Sequence, residues 1–302
     1  MPLDPQVVAY LARLRELGVQ PVSDLPLETA RGNYDAGTAG LFGEPDEIES
    51  VEDLDADGVP VRVYRPSLDE SPPAVVYLHG GGWVVGGPDS HDALCRTLAA
   101  RSGCAVIAVD YRRAPEHPYP AAIEDAWTAT RWAAERFAPL AVAGDSAGGQ
   151  LAASVALRAR DGGLPLALQA LIYPVTDHPG SAASYGTVGE GTPLNGELMW
   201  WFWSRYLTDE ARAAEPDCSP LRAPDLSGLP PTVILTAEFD PLHPEGEAYA
   251  ARLRQAGVPV SERRYDGLIH GFIRMPAVLD RAGEAIDELA DAFAAALIPA
   301  RR

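Results

Sequence analysis

The sequence predicts an α/β fold built on a mostly parallel central sheet with helices on both faces. Short, continuously apolar runs at residues 74–78, 105–109, 140–143, 170–173 and 233–236 alternate with longer helical patterns. Strands without polar alternation are covered on both sides, which is the habit of parallel sheets. Residues 142–149 also pass directly from one such run, through a glycine-bounded turn, into an Ala-rich helical stretch.

The elements follow in order. Val7, Val8, Leu11, Leu14 and Leu17 recur at helical spacing until Gly18 and Pro21 stop the pattern. A poorly periodic stretch rich in Gly and Pro then runs to about Pro45 and is assigned no element. Residues 48–54 and 59–64 flank Asp55-Ala56-Asp57-Gly58, a hairpin signature. Helical patterns occupy 89–102, 121–137, 147–160, 245–255 and 277–297. The rhythm breaks at 177–218, which holds Met199-Trp200-Trp201-Phe202-Trp203 and Tyr206-Leu207. So many large aromatics cover apolar surface either as a helix packed on the sheet or as a lid walling a pocket.

Composition narrows the functional classes. Of 302 residues, 47% are hydrophobic and 22% charged, as in ordinary globular proteins. The net charge is −19 and every basic residue is an arginine, so nucleic acid and anionic membranes are disfavoured as partners. No apolar run approaches the roughly 20 residues that span a bilayer. Met1-Pro2-Leu3-Asp4-Pro5 carries no basic n-region or apolar h-region, so no secretory signal is expected and the setting is read as cytoplasmic. Cys95, Cys104 and Cys218 follow no metal-ligand spacing and are expected to be reduced, buried thiols.

Two motifs carry chemistry. Gly144-Asp145-Ser146-Ala147-Gly148 is Gly-x-Ser-x-Gly between strand and helix, a nucleophile elbow. Small neighbours allow the strained turn that lifts the Ser146 hydroxyl to a helix N-terminus, where negative charge is stabilised. His79-Gly80-Gly81-Gly82-Trp83 follows directly on the strand 74–78. Three glycines weaken any regular element, so their use is exposed backbone N–H groups that can meet an oxyanion. Among the histidines, His243 and His270 follow both the serine and an acid, Asp240; His270, like Asp240, comes just after an apolar run. Ser146, Asp240, His270 is the Ser…Asp…His order of α/β-hydrolases. His243 lies only three residues after Asp240 at an expected helix start and cannot serve both partners.

With these pieces in order, the chain resembles the hormone-sensitive-lipase-like family of α/β-hydrolase carboxylesterases, in its bacterial branch. The resemblance rests on His79-Gly80-Gly81-Gly82-Trp83, residues 110–117 with Pro120-Ala121-Ala122, Gly144-Asp145-Ser146-Ala147-Gly148-Gly149, Asp240-Pro241-Leu242 and His270-Gly271-Phe272. It implies the α/β-hydrolase fold with a helical cap, and Ser146 as nucleophile, His270 as base and Asp240 as its orienter. Gly81, Gly82 and Ala147 would supply the oxyanion-hole N–H groups. The cap would comprise residues 1–45 and an insertion at 178–215, around a core of 46–177 and 216–302. No cofactor or metal is expected, because neither a His-Glu-x-x-His motif nor a cysteine cluster occurs.

The expected activity is hydrolysis of small, uncharged esters with short- to medium-chain acyl groups. An amidase or a lipase would use the same triad. A non-catalytic binding protein on this fold is the alternative from another class; some plant hormone receptors resemble the family but lack the histidine that this chain retains. The family pattern leaves room for a homodimer. One departure stands out: His243-Pro244-Glu245 occupies the place where the family usually has Arg-Asp-Glu.

Overall fold

A computed structural model describes residues 2–69, 72–179, 185–186 and 188–298; part of the expected insertion 178–215 lies outside the described residues. Eight strands form one sheet in the order β1-β2-β4-β3-β5-β6-β7-β8. They are β1 (Ser50–Ala56), β2 (Val59–Arg65), β3 (Ala74–Leu78), β4 (Ala105–Val109), β5 (Leu140–Asp145), β6 (Leu168–Ile172), β7 (Thr232–Phe239) and β8 (Val260–Ile269). The β1–β2 hairpin is antiparallel and joins β4 antiparallel, while every pairing from β4 through β8 is parallel.

Every residue of β3, β4, β5 and β6 is buried, which is why these strands read as continuous apolar runs. Alternate side chains feed two cores. Val76, Leu78, Ile107 and Val142 face one side with α4 (Ala121–Ala134), α5 (Ala147–Gly162) and α7 (His243–Gln255). Val75, Tyr77, Val106 and Ala143 face the other with α3 (Pro88–Ser102) and α8 (Asp280–Leu297). Helix α8 buries Ala282, Ile286, Leu289, Phe293 and Leu297 at helical spacing.

The N-terminal helix α1 (Pro5–Glu16) opens on an Asp4 cap and buries Val7 and Leu11 in the α3–α8 core. Its entry is tied to β8 where Asp4 N–H donates to the Gly267 carbonyl at 3.0 Å. The stretch assigned no element instead contains α2 (Leu27–Phe42). Gly32, Gly37 and Gly40 each lower helix propensity by about 1 kcal/mol, which hid the pattern. Tertiary contacts outweigh that cost. Ala30 is fully buried. Arg31 grips Glu116 with two bonds of 2.9 and 2.8 Å and donates to the carbonyls of Val84 and Ala114.

The aromatic run forms α6 (Gly196–Tyr206), capped where the Asn195 side chain accepts from Leu198 N–H at 2.9 Å. Its inward face is Leu198, Met199, Phe202, Trp203 and Tyr206. Trp201 is only half-buried and carries the Arg205 guanidinium 3.6 Å from its ring centroid. All three cysteines are free and buried. Among the described residues, no helix is long and apolar enough to cross a membrane.

Candidate active site

Strand β5 delivers the elbow. In the parallel register Leu78 lies beside Gly144, so β3 and β5 leave the sheet together. Ser146 then adopts φ 58°, ψ −120°, a strained conformation costing of order 1–3 kcal/mol. The turn is held by Ser146 N–H donating to the Ile172 carbonyl at 2.8 Å, and by the Ser146 carbonyl accepting from Gln150 and Val175. A Cβ on Gly148 would strike the Leu78 carbonyl, and one on Gly144 would strike the Gly148 carbonyl. The motif glycines are therefore required by close approach of backbone to backbone.

Strand β8 runs longer than the apolar pattern suggests, to Ile269, and brings His270 to the elbow. His270 Nε2 is 2.9 Å from Ser146 Oγ, and His270 Nδ1 is 2.6 Å from Asp240 Oδ2. Asp240 is fully buried and its second oxygen, Oδ1, accepts from Leu242 N–H at 2.8 Å. A carboxylate only accepts, so the network assigns the proton to Nδ1 and leaves Nε2 to receive the serine hydroxyl. The His270 ring also rests 4.5 Å from that of buried Tyr173.

The glycine loop lies opposite. Among the described residues, the N–H groups of Gly81, Gly82 and Ala147 have no protein acceptor, whereas Gly80 N–H donates to Asp145 Oδ1 at 2.9 Å. Gly82 has φ +58°, and a Cβ there would run into the Phe202 ring of α6. The loop ends in Trp83, whose indole N–H donates to Gln150 Oε1 at 2.9 Å. Its ring stacks on Tyr206 at 4.1 Å and packs against Trp203 at 4.5 Å. Within α6 it is thus Phe202 that meets the glycine loop, while Trp203 and Tyr206 brace it and Trp201 turns aside.

The other histidines lie elsewhere. His243 opens α7, where its backbone N–H donates to the Asp240 carbonyl at 3.1 Å while its Nε2 lies 2.7 Å from Glu247 Oε1, so its imidazole is not part of the Ser146–His270–Asp240 chain. His178 packs edge-on against Trp203, and His117 is exposed. His79 is stacked on Tyr111 at 4.1 Å, and burial together with nearby His91 pushes its imidazole down to about 3, so it stays neutral. His91 precedes the serine and lacks a preceding acid in a sheet-end loop, yet the fold sets its Nε2 3.1 Å from Asp145 Oδ1, with both side chains buried. That pair joins distant segments, and only the acid inside the Ser146 motif hinted at it.

Glu245 is retained from the family pattern and is structural. Its Oε1 accepts from Thr176 N–H at 2.7 Å, pinning the loop after β6. Burial raises this carboxyl well above its ordinary 4.5, despite the opposing backbone hydrogen bonds. A folded-state value above the unfolded one means stability is present below pH 4.5 and is lost as pH rises toward the folded value. Glu245→Gln keeps the acceptor oxygen without the charge. It is expected to melt a few degrees above the parent at pH 8 and no higher at pH 4; parallel melting curves across that range would contradict this.

Among the described residues, no group of three or more His, Cys, Asp and Glu side chains is arranged to hold a metal ion. The arrangement is suited to nucleophilic acyl transfer by serine.

Comparisons with known proteins agree with the geometry. A family described as alpha/beta hydrolase fold matches residues 75–274. The chain is 40% identical to an ethyl acetate hydrolase of Pseudomonas putida, covering 97% of this chain and 99% of that protein. It is also 40% identical to the carboxylic ester hydrolase LipN of Mycobacterium tuberculosis, covering 98% and 83% of the two. A crystal structure of a thermostable Pseudomonas putida esterase superposes with a TM-score of 0.93 at 36% identity over 99% of each chain. An esterase from Pyrobaculum calidifontis gives a TM-score of 0.89 at 40% identity, over 98% of this chain and 99% of that one. The chain belongs to the hormone-sensitive-lipase-like carboxylesterases of the α/β-hydrolase fold and is a carboxylic ester hydrolase.

Proposed function

We propose that the protein hydrolyses uncharged short- to medium-chain acyl esters in two steps, with Ser146 as nucleophile, His270 as base and Asp240 as orienter. The observation that carries this is the unbroken chain from Ser146 Oγ through His270 to Asp240 at 2.9 and 2.6 Å, on a strained elbow. His270 Nε2 takes the hydroxyl proton as Oγ bonds to the ester carbonyl carbon, and the carbonyl electrons move onto oxygen. Gly81, Gly82 and Ala147 N–H receive that oxyanion, each donor being worth about 10²–10³ in rate. The imidazolium returns its proton to the leaving alcohol, and water then repeats the sequence on the acyl-enzyme.

The substrate class rests on three supports. The net charge of −19 repels anionic esters and anionic lipid surfaces. The relative from Pseudomonas putida is named for ethyl acetate, a short uncharged ester. Phe202 packs on the oxyanion loop and would bound the space beside the reacting carbonyl. Residues 1–45 and 178–215 form the cap in this reading, with α2 and α6 as its principal helices. Three unpaired, buried thiols suit a reducing compartment.

The test is a graded series of p-nitrophenyl esters beside a triglyceride emulsion and a matched anilide. The expected kcat/KM maximum lies at acyl chains of about eight carbons or fewer, without activation at the emulsion interface. A long-chain maximum with interfacial activation would make the enzyme a lipase, and preference for the anilide would make it an amidase.

A further inference from the structure

Asp145 occupies the variable position of the serine motif, yet it is the most heavily engaged carboxylate beside the site. Its Oδ1 accepts from Gly80 N–H at 2.9 Å and from Tyr77 O–H at 3.0 Å, and faces His91 Nε2 at 3.1 Å. Its side chain is 3% exposed. Burial alone would raise this carboxyl; the facing His91, the charge of Arg274 and the Tyr77 hydroxyl more than reverse it and hold it well below the usual carboxylate range. A charged group so deeply buried is expensive unless its donors are retained.

The topology explains the convergence. Gly80 stands two residues beyond Leu78 and Asp145 one residue beyond Gly144, and those two strand positions are parallel neighbours. The carboxylate therefore crosses from the elbow strand to the first peptide of the glycine loop. A Cβ on Gly80 would collide with Asp145 Oδ2, so the two segments already touch. At its far end the same loop is pinned by the Trp83 indole on Gln150 of α5. Both pins come from the strand–turn–helix unit that carries Ser146.

We propose that Asp145 is a positioning residue for the oxyanion hole, holding the Gly81 and Gly82 N–H groups at a fixed distance from Ser146 Oγ through its bond to Gly80 N–H. The inference rests on the assignment of Ser146 as nucleophile and of those N–H groups to the oxyanion. Its effect falls on the tetrahedral state and spares ground-state binding, because only the tetrahedral oxygen needs the donors in place.

The experiment compares parent, Asp145→Ala and Asp145→Asn for kcat, KM and inhibition by a matched pair of ketones. An alkyl trifluoromethyl ketone adds Ser146 Oγ to its carbonyl carbon, passing the serine proton to His270 and creating an oxyanion. The corresponding methyl ketone remains a carbonyl and reports ground-state fit. For Asp145→Ala, kcat is expected to fall about 10²-fold, the scale of one lost oxyanion donor, with a similar rise in the trifluoromethyl ketone inhibition constant. KM and methyl ketone inhibition should change by less than about threefold, leaving a transition-state effect of the expected kind. Asn retains an oxygen that can accept from Gly80 and should recover activity to within about tenfold of the parent.

Equal weakening toward both ketones would overturn the proposal, since that marks general damage to the pocket. So would an Ala variant with parental kcat, or an Asn variant as impaired as Ala. If Ala does not fold, Asp145→Ser is measured in its place, because its hydroxyl falls short of Gly80 while filling part of the site. A parent enzyme that shows no preference for the trifluoromethyl ketone would overturn the Ser146 and oxyanion assignments, and this inference with them.

Discussion

Replacing Ser146 by alanine is expected to lower kcat by at least about 10⁴-fold while leaving the melting temperature within a few degrees of the parent. Removal of the nucleophile from a comparable triad costs about 10⁶, and the residual rate of about 10³–10⁴ over water comes from the oxyanion hole and binding. The fold should tolerate the change because, among the described residues, Oγ bonds only to His270, while the elbow is held by backbone bonds to Ile172, Val175 and Gln150. Alanine shares the Cβ that already occupies this strained conformation, so no new backbone cost arises. A variant retaining a tenth of the parental kcat would contradict the nucleophile assignment.

Asp240→Asn is expected to cost about 10⁴ in kcat, by a different route. The outcome follows from the second bond of Asp240. Leu242 N–H donates to Oδ1 at 2.8 Å and would hold the amide oxygen of asparagine in that place. The amide nitrogen would then face His270 Nδ1, now at 2.6 Å from Oδ2, and donate to it. Nδ1 would become the acceptor and the proton would move to Nε2, turning a donor toward Ser146. The base would keep its position and lose its function. The kcat loss should therefore occur with KM changed by less than about tenfold; a kcat within tenfold of the parent would contradict the tautomer argument.

How much of this was legible in the sequence varied with the physics of each element. Strands β3 and β4 match their apolar runs at both ends because full burial demands an uninterrupted apolar string. Strand β5 continues through Gly144 and Asp145, where hydrophobicity gives no signal but pairing with β6 persists. Helix α2 was hidden by three glycines and is held by Arg31 and buried Ala30, contacts that no local pattern encodes. The residues of the proposed triad stood out because chemistry restricts both their type and their order. The aromatic run was visible, but its helical phase was not. The Asn195 cap and the stack on Trp83 decide that Phe202 meets the loop and Trp201 does not. The partnership of Asp145 with Gly80 and His91 depends on strand neighbours, information that exists only once the sheet is formed.

The measurement closest to the central claim is peptide mapping by mass spectrometry after reaction with a p-nitrophenyl alkylphosphonate, which traps an activated serine. The account predicts one phosphonyl group per chain, on Ser146, formed as p-nitrophenolate leaves and activity disappears in step. A His270→Ala variant should label far more slowly, because the base that activates the hydroxyl is gone. Complete inactivation with the adduct on any other residue, or full activity after stoichiometric labelling of Ser146, would contradict it.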